Sequence, residues 1–343
     1  MRLSRPILGS LSAILILLAI FTFNVQASGI DMRYLLAETP FSIFLPMVRS
    51  GASSSPPPPS PSPTSPVPTV TILPPGGGMI INHNSIGLYD RIPSSYLRAA
   101  EAIKFTFMDR SVGANIDEGI GCLAAVSWEA SNSACRRGYV DASLTNWVTY
   151  PNGNLPIPTV ITFPGGNNRS NIHFVYHEGT WEEDLSYFIQ SYPNYANQDI
   201  FSYQHNYLHV AAGSTIDDVY FDPNYRGTNI YDLEALEDRY PNKTFVYWTA
   251  SLARTIGSAD AQSFNDQMRS WAAQNGKILI DIAAIESHAP NGTACRNSQG
   301  YEIICKDYTT EANGGHLGSV SGGKIRIAKA IWVTLAQIAG WQP

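Results

Sequence analysis

The strongest constraint on the fold is a set of short, unbroken apolar runs separated by helix-length stretches. Lys104-Phe105-Thr106-Phe107-Met108, Asp199-Ile200-Phe201-Ser202-Tyr203, Thr244-Phe245-Val246-Tyr247-Trp248 and Lys277-Ile278-Leu279-Ile280-Asp281-Ile282 read as strands. Their apolar residues are continuous rather than alternating, the pattern of strands buried on both faces. Helical spacing fills residues 112–126, 181–191, 230–240 and 259–275, and a last helix is expected over 323–339. Gly276 and Gly340 stand where helix ends favour a left-handed residue. Strands alternating with helices of this length build βαβ units around a parallel sheet. The fold class is therefore α/β, and open parallel sheets form their sites at the carboxyl ends of the strands. Residues 134–178 read as irregular, with short β-like runs at 159–163 and 172–176.

The start of the chain follows different rules. Arg2 and Arg5 precede an apolar run over residues 7–23, and Val25-Gln26-Ala27 supplies small residues at a cleavage site. This is the order of a secretory signal peptide, assigned to residues 1–27. The alternative is an uncleaved anchor, because the run is near the lower limit of about 17 residues for a span. Either reading puts the remainder outside the cytoplasm, secreted or at the cell surface. Residues 28–50 hold a second apolar tract, interrupted by Pro46, to which no role is assigned. Residues 51–79 are rich in Pro and Ser, cannot bury a core, and read as a semi-rigid polyproline II tether. The globular domain is then 80–343.

Only 15% of residues are charged and the net charge is −6, against about 25% charged in ordinary soluble domains. Nucleic acid is excluded as a partner on this ground, since phosphate binding needs clustered Lys and Arg. Beyond the signal segment nothing calls for a membrane. The six charges before residue 80 are Arg2, Arg5, Asp31, Arg33, Glu38 and Arg49, so the leader accounts for only part of the deficit. The remaining paucity belongs to the domain and suits an uncharged substrate. The four cysteines, Cys122, Cys135, Cys295 and Cys305, allow three disulfide pairings. Short spacing favours Cys122–Cys135 and Cys295–Cys305, and no Cys-x-x-Cys spacing supports zinc.

Two features carry chemistry. Ser111 follows the first of these strands and opens a helix, where backbone N–H groups and the helix dipole can receive an oxyanion. The same position suits a plain N-cap serine. His316 stands in the Gly-rich loop Asn313-Gly314-Gly315-His316-Leu317 before the final helix, where glycine lets an imidazole approach another group closely. His173, His177, His205, His209 and His288 lack such framing and read as structural or surface residues.

A serine after the first strand with a histidine before the last helix resembles the SGNH/GDSL-type hydrolases. The resemblance rests on Ser111-Val112-Gly113-Ala114-Asn115-Ile116, on residues 199–206 and 277–287, and on Gly314-Gly315-His316-Leu317. It spans about residues 100–341, and the order and spacing of the blocks carry it. It implies a flavodoxin-like three-layer α/β/α fold and ester hydrolysis through an acyl-enzyme, without a cofactor. Ser111 would be the nucleophile and His316 the base. Ser111 N–H, the Asn206 side chain and a glycine such as Gly179 would be the oxyanion donors.

Two departures bear on activity. Asp109-Arg110-Ser111 stands where the family usually reads Gly-Asp-Ser, and the family's acid position, three residues before His316, holds Asn313. An asparagine cannot stabilise imidazolium by charge. Glu311 or Asp307 could supply the carboxylate, the site could work as a dyad, or it could be inactive. Gly119-Ile120-Gly121-Cys122-Leu123-Ala124 imitates a dinucleotide fingerprint but lies inside a helix. The reading is a secreted serine esterase acting on an acylated small molecule or polysaccharide, with carbohydrate O-acetyl groups as candidates. The alternative is a non-catalytic glycan-binding module on the same fold. Sequence does not define the oligomeric state.

Overall fold

The computed structural model describes residues 78–124, 138–140, 147–149, 168–256, 259–309, 311, 314–317 and 321–343. The leader, the segment 28–50, the Pro/Ser-rich tether up to residue 77, the run 159–163, Cys135 and Asn313 lie outside these residues.

In chain order the elements are β1 (Met79–Ile81), α1 (Ser94–Ala102), β2 (Phe105–Asp109), α2 (Ser111–Ala124), β3 (Gly138–Val140) and β4 (Trp147–Thr149). They continue with β5 (Ile172–Tyr176), α3 (Trp181–Ser191), β6 (Ile200–Tyr203), α4 (Ile216–Val219), α5 (Ile230–Arg239) and β7 (Thr244–Trp248). The last are α6 (Ala259–Gln274), β8 (Ile278–Ile280), α7 (Ile282–Glu286) and α8 (Ser321–Ile338). A short 3-10 helix (His83–Arg91) follows β1.

Six strands form one sheet in the order β1-β8-β7-β6-β2-β5, and every pairing in it is parallel. β3 and β4 make a separate antiparallel pair. Alternation along the buried strands sends their side chains to two cores. Phe105, Phe107, Val246, Trp248, Ile278 and Ile280 pack with apolar residues of α1, α2 and α8 on one face. Met108, Phe201, Tyr203, Phe245, Tyr247 and Leu279 pack with α3, α5 and α6 on the other. This is a three-layer α/β/α arrangement, the α/β class expected from the sequence.

Local signals set the boundaries. Thr180 and Glu183 form a reciprocal capping box at the start of α3, and Asn229 with Asp232 does the same for α5. Gly276 ends α6 at φ +62° and Gly340 follows α8 at φ +96°, both left-handed values that glycine adopts without steric cost. Gly119 explains the false fingerprint: a Cβ there would lie 2.4 Å from Lys324 O, so the glycine permits close packing of α2 on α8.

Two expectations need correction. The strand assigned to 277–282 stops at Ile280, because the Asp281 side chain accepts the Ala284 N–H and caps α7. Arg269 Nε, 2.7 Å from Asp281 Oδ2, fixes that cap. The edge strand β1 was not assigned, because its Met79-Ile80-Ile81 run is only three residues long. The Cys295–Cys305 disulfide is present, with Cα atoms 5.4 Å apart. Cys122 is also disulfide-bonded, and its expected partner Cys135 lies outside the described residues. Among the described residues no helix is long and apolar enough to cross a membrane.

Candidate active site

Ser111 is the first residue of α2, two positions beyond the carboxyl end of β2. Because β2 is paired on both sides, by β5 and β6, this turn sits within the sheet edge rather than at its margin. Ser111 Oγ lies 2.7 Å from His316 Nε2. His316 Nδ1 lies 2.6 Å from Glu311 Oε1. A carboxylate can only accept, so Nδ1 carries the proton and Nε2 presents its lone pair to the serine hydroxyl.

The loop that carries His316 is fixed from three directions. Asn115, one helical turn beyond Ser111, accepts the Leu317 N–H through Oδ1 at 3.0 Å. Thr309 donates its hydroxyl to His316 O at 2.6 Å and accepts the Glu311 N–H at 3.1 Å, tying the histidine and the carboxylate to one side chain. Tyr207 meets the His316 ring edge-on with centroids 5.8 Å apart. Glycine is required at 315, where a Cβ would lie 2.5 Å from Tyr207 and 2.6 Å from Leu252 O; at 314 a Cβ would fall 1.6 Å from Glu311 Oε2 and displace that side chain.

His316 and Glu311 side chains are 32% and 39% exposed, so solvent screens their attraction. The consequence of the pair is orientation and tautomer rather than stability. Asp307 takes another place. It lies in a 3-10 turn (Lys306–Tyr308), where its charge acts on Arg254 and Tyr308, and no hydrogen bond links it to His316.

The Arg110 guanidinium is held by partners in the loop after β5. It pairs with Glu178, which also accepts the Tyr176 hydroxyl at 2.9 Å. The second Arg110 nitrogen reaches Gly179 O at 3.5 Å, which brings Gly179 to the rim of the Ser111 turn.

Asn206 is buried at the carboxyl end of β6, next to Tyr207. Its Oδ1 accepts the Leu208 N–H at 2.8 Å, which fixes the amide so that Nδ2 is the free donor. His209 Nε2 lies 3.2 Å from that Nδ2, and also 3.1 Å from Asp184 Oδ2 and 3.4 Å from Gly179 O. Facing two acceptors, His209 Nε2 is itself a donor, so the Asn206 amide hydrogens are not consumed by it. Asp184 also accepts from His177 Nδ1 at 2.7 Å. Burial would raise the Asp184 carboxyl, but hydrogen bonds from His209 and His177 outweigh it and hold the group below its ordinary value. His205 and His209 are 1% and 5% exposed, so neither is a surface residue. This network was not visible in sequence, because Asp184 and His209 come together only when β5 and β6 flank β2.

Two buried carboxyls lie beneath the site. Burial pushes the Asp109 carboxyl up to about 7, while approaching backbone N–H groups of Arg110 and Gly113 offset part of the effect. Burial also drives Glu286 well above the carboxylate range, and its Oε2 accepts the Leu252 N–H at 2.6 Å. Both favour the neutral acid.

Among the described residues no group of three or more His, Cys, Asp or Glu could hold a metal ion. Neither a protein-family model nor a curated protein matches the chain. A solved structure, that of Est24, a carbohydrate acetylesterase from Sinorhizobium meliloti, is similar to 67% of this chain and 96% of its own. The identity is 10% and the TM-score 0.31.

Proposed function

We propose that this chain is a serine hydrolase of acyl esters, with Ser111 as nucleophile, His316 as general base and Glu311 as the orienting acid. The observation that carries the reading is the continuous hydrogen-bonded line from Ser111 Oγ through the His316 ring to Glu311, 2.7 and 2.6 Å. A serine hydroxyl is a weak nucleophile until a base takes its proton, and Nε2 is within reach to do so. As Oγ bonds to the acyl carbon, its proton passes to Nε2, and the imidazolium is balanced by Glu311.

The ester carbonyl becomes an oxyanion, for which the Ser111 N–H at the start of α2 and the Asn206 amide are the proposed donors. The Gly179 N–H is the third proposed donor, since the Arg110 and His209 contacts fall on its carbonyl oxygen and not on its N–H. His316 then gives its proton to the leaving alkoxide, which departs as the alcohol. A water enters, loses its proton to Nε2 and attacks the acyl carbon, and Nε2 returns that proton to Ser111 Oγ as the acid is released. No metal or organic cofactor is required for these steps.

The substrate is proposed to be an O-acyl, and specifically O-acetyl, ester of extracellular carbohydrate. The leader-like N-terminus and the disulfide agree with an extracytoplasmic site of action. The low charge of the chain agrees with a neutral polymer. The test is turnover of p-nitrophenyl acetate and release of acetate from acetylated xylan. Both are expected from the native chain and neither from Ser111→Ala. Binding of the glycan without turnover in either protein would favour a carbohydrate-binding module instead.

A further inference from the structure

A second chemical feature lies on the same edge of the sheet, far from Ser111. β1 and β2 are separated by β8, β7 and β6, which puts about 19 Å of sheet between their ends. Beyond the carboxyl ends of β1 and β8 is a cavity of about 380 Å³, lined by His83, Asn84, Ala289, Gly292, Arg326 and Lys329 among others.

Two polar groups in this lining are buried and unanswered. His83 Nδ1 and Arg326 Nε have no hydrogen-bond partner. No carboxylate pairs with Arg326 among the described residues, whereas Lys329 Nζ is matched by Asp90 at 3.0 Å. The cavity wall therefore keeps one uncompensated guanidinium. Both atoms are themselves closed to water, so it is the rest of the Arg326 guanidinium, on the cavity lining, that a ligand would meet.

Both groups are held in place. The His83 ring stacks flat on His288, with centroids 3.6 Å apart and planes 1° apart. His288 is anchored in turn by Nδ1, which donates to Ala284 O at 2.9 Å. The Arg326 guanidinium lies 5.3 Å from the centroid of Tyr308, whose hydroxyl donates to His288 O at 2.7 Å. Burial first, then the His288 and Arg326 charges, lower the His83 pKa, so a neutral imidazole is available as an N–H donor. Side chains fixed by stacking lose little freedom when a ligand arrives.

We propose that this cavity is a binding site for a small ligand bearing one oxyanion group, with Arg326 and His83 as its donors. The volume suits a body of monosaccharide size, and the single unmatched positive charge suits a monoanion such as a sugar carboxylate. The site stands independently of hydrolysis at Ser111, because it shares no residue with that machinery.

Isothermal calorimetry on the full chain, with glucuronate, glucose 6-phosphate and glucose as the three probes, tests it. Binding of either anion with no measurable binding of glucose supports the site, and the tighter anion names the oxyanion group. Arg326→Gln is expected to weaken that binding at least ~10-fold. Circular dichroism checks the fold of the variant, and if Arg326→Gln does not fold, His83→Gln is expected to weaken binding ~3–10-fold. Equal binding of glucose and the anions, no binding of any probe, or anion binding unchanged by the folded variant overturns the proposal.

Discussion

His316 Nε2 lies 2.7 Å from Ser111 Oγ although the two residues are 205 positions apart in sequence. That contact depends on α8 packing against α2, which the glycine at 119 permits, and on the Asn115 bond to Leu317 N. A chance encounter of two polar side chains would not be supported from both elements in this way.

Glu311, rather than Asn313, is the partner whose loss should matter. Glu311→Ala is expected to lower kcat for p-nitrophenyl acetate by roughly 10²–10⁴-fold, with KM little changed, because the tautomer and charge balance of His316 are lost. Asn313→Ala should stay within about threefold of the native rate if Glu311 is the acid. Steady-state kinetics of the two variants side by side check the assignment.

Gly314→Ala offers a test that leaves every functional side chain in place. The new Cβ would fall 1.6 Å from Glu311 Oε2, so the carboxylate must move. The expected outcome is a rate loss approaching that of Glu311→Ala, with thermal unfolding close to native. Native activity in Gly314→Ala would mean that the carboxylate position is not critical.

Much of this architecture was legible in the chain. The runs 172–176, 181–191 and 244–248 form elements with those bounds. Ser111 and His316 were legible as candidates from their strand and loop settings, and Glu311 was one of two candidate carboxylates. What places Glu311 rather than Asp307 beside His316 is the Thr309 side chain, whose two hydrogen bonds fold the loop back on itself. Nothing in residue spacing announces that. The Asp184–His209 contact and the His83–His288 stack are equally hidden, since each joins separate elements across the sheet edge.

Asp109 should leave a signature in the pH dependence of stability. Its folded pKa is raised to about 7 by burial, so the native state holds the proton more tightly than the unfolded chain. Stability from this group is present at low pH and falls as pH rises from about 4 through 7, by roughly 3–5 kcal/mol in total. Glu286 shifts in the same direction. Asp109→Asn is expected to be close to native in stability at pH 4 and more stable than native at pH 8. Urea unfolding of both proteins at both pH values checks the sign, and an Asp109→Asn variant that loses stability relative to native between pH 4 and pH 8 would refute it.

The Cys295–Cys305 bridge closes a loop of sequence separation 10 that follows α7. In the loop-entropy model such a bridge contributes about 3 kcal/mol. Cys295→Ser with Cys305→Ser should lower the unfolding temperature by several degrees. It should leave turnover at Ser111 within about twofold, as measured by calorimetry and p-nitrophenyl acetate kinetics.

The central claim is that Ser111 carries a covalent acyl intermediate. Intact-protein mass spectrometry after treatment with a fluorophosphonate reads this directly. One adduct on the native chain, mapped to the peptide containing Ser111 and absent from both Ser111→Ala and His316→Ala, is the result predicted here. An unlabelled native protein, or a label that survives in Ser111→Ala, would contradict it.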